Sequence, residues 1–198
     1  MTRAKSTRTA RSRLPDIPLD RLDAAQEALV EAIRSGPRGK NTAIRGPFAI
    51  LLHAPSLGDL TQRLGGYCRL QTKVPPRLSE LAILVTAQLW RAQYEWFVHA
   101  PIAERAGIKP VTIRELRAGR VPKSAAKDER AIYDLITELY RTRRVSDRTY
   151  ARVNALLGNA ATVELVGILG YYALVSMLLN VFRTPLPPGE RTPFARRG

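Results

Sequence analysis

Three residues in one apolar stretch have the types that proton transfer needs: Glu80, Glu95 and His99. Glu95 and His99 are four apart, so on a helix they share a face and their side chains can meet. Glu80 stands among Leu81, Ala82, Leu84, Val85 and Leu89, which sets a carboxylate against apolar walls. A carboxylate beside an imidazole in such walls holds the ring in one tautomer, as a general acid–base requires. On spacing alone, Glu95 and His99 read equally as a half-buried helix pair worth about 0.3 kcal/mol. A metal set of Glu80, Glu95, His99 and His53 follows neither the Glu-x-x-His of di-iron bundles nor the paired-His zincin spacing, so no metal is expected. Around the three, Tyr94 and Trp96 are candidates to line a substrate pocket, with Trp90 a further aromatic nearby. Arg91 is a candidate to hold a substrate carboxylate bidentately, and His53 is a further substrate-binding candidate.

Helices must position these groups. Apolar residues recur at helical spacing nearly throughout, and no run alternates as a half-buried strand does. The expectation is therefore an all-α single domain of seven or eight helices. Asp20 with Asp23 can cap a first helix running to about Arg34. A short helix over Phe48–His53 and one from Pro55 to about Gln71 follow, with Pro55 as first residue. Arg77 to about Ala92 and Glu95 to Gly107 have helical period; whether Arg91–Tyr94 breaks them stays open. Pro110–Ala118, a Ser124-capped run to Arg141, a Ser146-capped run to Leu157 and a last helix to Phe182 complete the set. Val163–Phe182 is apolar enough for a buried or subunit-interface helix; its Glu164 and Asn180 argue against a membrane span.

The chain has 198 residues, 32 Lys and Arg against 17 Asp and Glu, and a net charge of +15. That excess invites a nucleic-acid reading, yet residues 1–14 alone hold five cations and no acid, and 183–198 add a net +3. Both ends are poor in apolar residues and are expected as tails, a basic one at 1–14 and a Pro/Arg-rich one at 183–198, flanking a domain over 15–182. The charge then reports solubility more than a nucleic-acid site. Another basic cluster, Arg34, Arg38, Lys40 and Arg45, falls in the Gly/Pro-punctuated stretch 35–47. The single cysteine, Cys68, excludes an internal disulfide and a four-thiolate zinc site.

The stretch from Pro76-Arg77-Leu78-Ser79-Glu80-Leu81 through His99 to Gly107 resembles the carboxymuconolactone decarboxylase and alkylhydroperoxidase-D-like family. The family motif is Glu, eleven residues, Cys-x-x-Cys, three residues, His. Glu80 and His99 take the outer positions, and Ala92 and Glu95 fall where the cysteines stand. His53-Ala54-Pro55 and Val166–Tyr172 also look like the family, so the resemblance spans roughly residues 45–188. It implies an all-α fold, homo-oligomers built on trimers or hexamers, and a cytoplasmic enzyme.

In the peroxidase branch the two cysteines carry the redox chemistry. With only Cys68, twelve residues before Glu80, this chain lacks that couple. The decarboxylase branch implies cofactor-free acid–base chemistry on a small lactone acid, of the kind used in aromatic degradation. The resulting expectation is a lyase or isomerase with His99 as acid–base, Glu80 orienting it and Glu95 as second carboxylate. It would use no cofactor and take an organic acid or lactone, with neither nucleic acid nor membrane as partner. The alternatives are a catalytically silent binding module and residual peroxidase-type activity.

Overall fold

The run Leu81–Val85 is apolar on every face, and a helix hydrophobic all round must be enclosed by others. The structure, a computed structural model, describes residues 12–195 and does enclose it. Among the described residues there are eight helices and no strand. They are α1 (Ala24–Ser35), α2 (Pro47–Leu51), α3 (Pro55–Leu70), α4 (Pro76–Trp90), α5 (Gln93–Arg105), α6 (Pro110–Arg117), α7 (Lys127–Thr142) and α8 (Asp147–Val181). Helix α4 runs through the middle and packs on α5, α6, α7 and α8. Leu81, Ala82 and Leu84 are fully excluded from solvent there. A smaller apolar cluster joins α1 and α2 through Leu29, Ile33, Leu51 and Leu52.

Local chemistry sets most boundaries. Pro47, Pro55, Pro76 and Pro110 each open a helix, where the missing N–H costs nothing and φ is already suitable. Ser146 caps α8 as expected, accepting from the Thr149 N–H. Two expected caps differ. Asp23, not Asp20, is the cap of α1, in a reciprocal box with Gln26. Ser124 does not cap α7: the Glu115 carboxylate takes both its N–H and its hydroxyl, and α7 begins three residues later.

The run expected as two helices, one ending near Leu157 and one to Phe182, is two helical segments joined end to end within α8, broken at the non-helical Gly158, whose φ of 74° only glycine adopts freely. By length and composition α8 is long and apolar enough to cross a membrane, but half of its apolar window is buried inside the protein.

The C-terminal stretch is no free tail as far as Ala195. Phe194, only 2% exposed, meets Trp96 edge-on with ring centroids 5.1 Å apart. Its backbone N–H and C=O both pair with the Gln93 amide, at 2.8 Å each. One buried aromatic and a matched backbone pair suffice to dock a segment otherwise poor in apolar residues. At the other end, the Arg13 N–H donates to Phe182 O at 3.0 Å, so residues 12–14 also lie on the body. Residues 1–11 and 196–198 of the expected tails lie outside the described residues.

Candidate active site

Glu80 sits in the second turn of α4, facing inward from the most buried helix. The open question at Arg91–Tyr94 has a definite answer: the helix breaks. Arg91 is left-handed (φ 50°, ψ 37°), Ala92 is extended, and α5 restarts at Gln93. That break places Glu95 in the first turn of α5 and His99 one turn further along the same face. Glu80, Glu95 and His99 are 7%, 4% and 4% exposed, so all three are out of bulk water.

They converge. His99 Nδ1 lies 2.8 Å from Glu80 Oε2, and His99 Nε2 lies 3.4 Å from Glu95 Oε2. Arg69, near the end of α3, donates to the other Glu80 oxygen at 2.9 Å. Burial by itself would lift the Glu80 pKa; the His99 hydrogen bond, the His99 charge and Arg69 outweigh it and hold the carboxyl below its usual value. An ionised Glu80 accepts the Nδ1–H, which fixes the tautomer and leaves Nε2 as the basic nitrogen. Arg69 NH1 is also 3.4 Å from Nδ1, but two donors cannot bond each other, so Arg69 serves Glu80.

Glu95 is different. Burial lifts its pKa, Glu80 adds to the rise, and the pull of His99, Arg69 and Arg38 does not cancel it. Its Oε2 is buried with no hydrogen-bond partner among the described residues. A carboxyl inclined to hold its proton, facing the free nitrogen of an oriented imidazole, is a proton-transfer pair with a gap between its members.

The gap opens on a cavity of about 240 Å³ lined by Glu95, His99, Arg38, Arg45, Arg69 and the Tyr171–Tyr172 pair, among others. Tyr172 stands edge-on to the His99 ring at 5.1 Å. Burial raises the Tyr171 phenol to about 12 and the Tyr172 phenol further, so both stay protonated. Gly65 on α3 makes room for this wall. A Cβ there would lie 2.1 Å from the Tyr171 hydroxyl and 2.7 Å from an Arg38 nitrogen.

The other expected site residues scatter. Tyr94 does line the cavity. Trp96 is core, packed on Phe194. Arg91 does not reach the site: its guanidinium bonds Ala195 O at 2.7 Å and sits over the Phe194 ring, tying down the C-terminal segment. His53 is exposed and its Nε2 is 3.1 Å from Pro15 O, in a separate groove. Trp90 donates to the Tyr140 hydroxyl. Cys68 is buried in α3 and burial pushes its thiol up, away from the reactive thiolate. Sequence reading missed Arg69, which carries no mark beyond being one basic residue in a helix. Arg38 and Arg45 were visible as a cluster, without a sign of where they point.

A model of the carboxymuconolactone decarboxylase family matches residues 55–138, the segment holding Arg69, Glu80, Glu95 and His99. Over that segment, which is less than half of the chain, the sequence is consistent with the carboxymuconolactone decarboxylase family. No curated protein matches the sequence. A crystal structure described as an alkylhydroperoxidase AhpD core, an uncharacterized peroxidase-related protein from Ralstonia eutropha JMP134, superposes with a TM-score of 0.73. It is 14% identical, and the match covers 89% of this chain and 93% of that one. The likeness shows a shared all-α fold. Relative to the motif of this family, the cysteine positions hold Ala92, which caps α5, and Glu95, which faces the cavity.

Proposed function

We propose that the protein is a cofactor-free acid–base enzyme that acts on a carboxylated lactone or enol acid. The observation that supports this most is the Glu95 Oε2 atom, buried with no hydrogen-bond partner among the described residues and 3.4 Å from an oriented imidazole, on a residue that lines the cavity. In a decarboxylation, the electron pair of the broken C–C bond stays on the substrate carbon as CO₂ leaves. Glu95 gives its proton to that carbon, and His99, with water behind it, returns a proton to Glu95. Glu80 holds the ring and balances its charge, while the protonated Tyr171 and Tyr172 can donate to an enolate oxygen. A module that only binds acids would need the arginines but not a proton-holding carboxyl against the ring.

The test is turnover of a carboxylated lactone or enol acid. His99→Ala and Glu95→Gln should each lower kcat by about 10²-fold or more with helix content unchanged by circular dichroism. Wild-type rates in both variants would refute the reading.

We also propose that the protein is a homo-oligomer. Leu57, Leu60, Leu64 and Tyr67 stand exposed along one face of α3, and Val163 and Val166 on the neighbouring part of α8. The Tyr67 hydroxyl bonds Glu164 at 2.6 Å and joins the two faces. Light scattering should give a multiple of 22.0 kDa; a strict monomer would count against that face as an interface.

A further inference from the structure

A cavity of about 240 Å³ is below the roughly 300–1,000 Å³ of ordinary ligand sites. It does not end where its chemistry ends. Arg45 and Tyr94 line it and also line a groove of about 1310 Å³ on the other side. That groove runs between the N-terminal segment, α2 and the residues after α8. Its walls mix aliphatic side chains, Leu14, Ile17, Ile44 and Leu186 among them, with Asp16, Arg45, His53 and Arg183. Where the two spaces adjoin, the Tyr94 ring packs on bare backbone. Gly46, at φ 61°, lies so close to Tyr94 that a Cβ would meet the phenol ring at 2.4 Å.

The inner cavity has an arginine whose buried Nε has no hydrogen-bond partner among the described residues, Arg38. Arg38 lies over the Phe48 ring with its guanidinium carbon 5.3 Å from the centroid. It fits beside the Gly65 notch. Arg69 is committed to Glu80; Arg38 faces no carboxylate in this way. Three arginines line the cavity, and the nearby ionised carboxylate, Glu80, is paired with Arg69 behind the lining, while Glu95 and His99 are jointly neutral when they share one proton. An anion completes such a site, and a guanidinium flat on an aromatic ring is a pre-organised carboxylate receptor.

We propose that the ligand is an acid with an apolar body, its carboxylate held by Arg38 in the inner cavity and its body passing Arg45 and Tyr94 into the groove. This rests on the same site as the acid–base reading but makes a claim about binding, not turnover.

Calorimetric titration of the full chain with butyrate, octanoate and 1-octanol tests it. Octanoate should bind at least about tenfold tighter than butyrate, because its extra methylenes leave water in the groove. Arg38→Gln should weaken octanoate by about tenfold or more and change 1-octanol by less than about twofold. Ala49→Trp, at an exposed position on the groove wall, should remove the advantage of octanoate and leave butyrate unchanged. Octanoate binding no tighter than butyrate, or binding equally to Arg38→Gln, would overturn the proposal. His99→Ala separates the two readings: it should abolish turnover yet bind octanoate like the wild type.

Discussion

Two clusters of buried carboxylates and arginine flank α4, and they are built to opposite ends. Near the start of the helix, Arg77 bonds both Asp128 and Glu129 of α7, and the other Glu129 oxygen accepts the Ala126 N–H. Every oxygen of Glu129, itself 3% exposed, has a donor. One turn along, Glu80 is equally well served, but Glu95 beside it keeps a buried oxygen with no hydrogen-bond partner among the described residues and a pKa that burial raises. Leaving a buried polar atom unpaired costs about 1–3 kcal/mol. The fold satisfies Glu129 completely and leaves Glu95 open, and it is the open group on which the proposed chemistry rests.

Breaking the closed cluster should give the larger stability effect. Arg77→Leu strands Glu129 and should cost about 2–3 kcal/mol, read as a lower urea midpoint, with the inner cavity intact. Arg91→Ala, which loosens only the docked C-terminal segment, should cost about 1 kcal/mol or less. Equal losses in the two would mean that the Arg77 cluster is no more structural than a surface contact.

The pH dependence sharpens the contrast further. Glu80 and Asp128 have folded pKa values below their unfolded ones, so they contribute stability at neutral pH that is lost as pH falls through the folded values. Glu95 runs the other way: its folded pKa is raised, so its burial weakens the fold as pH rises above the ordinary Glu value of about 4.3. Glu95→Gln should therefore gain stability relative to wild type at about pH 8 and gain less at about pH 5. Urea midpoints at the two values measure it, and a pH-independent difference would remove Glu95 from its role as the proton-holding carboxyl.

The helices were legible because their signals are local. Proline at the first position, Ser146 as a cap and the 3.6-residue period each act within one or two turns. The Glu80–Glu95–His99 convergence was legible for a related reason, since residues nineteen apart on two successive helices have few ways to meet. What was hidden depends on long-range docking. Arg69 reaches Glu80 only because the loop 71–75 folds the end of α3 back onto the start of α4, and Arg38 reaches the cavity only because Gly65 and Tyr171 leave it room. Arg91 misled for the same reason: its partner is Ala195, more than a hundred residues away. No spacing rule speaks to such pairs.

The chain order of the cavity lining has a consequence of its own. The residues proposed to handle protons, Glu80, Glu95 and His99, with Arg69, all fall within the segment 55–138 that matches the family model. Arg38, Arg45, Phe48, Tyr171, Tyr172 and Val175, which shape the cavity around them, come from before and after it. Reactivity and fit are thus inherited from different lengths of chain. Mutation can reshape the flanking walls, and so change which molecule enters, while the helices that set the reacting atoms stay where they are.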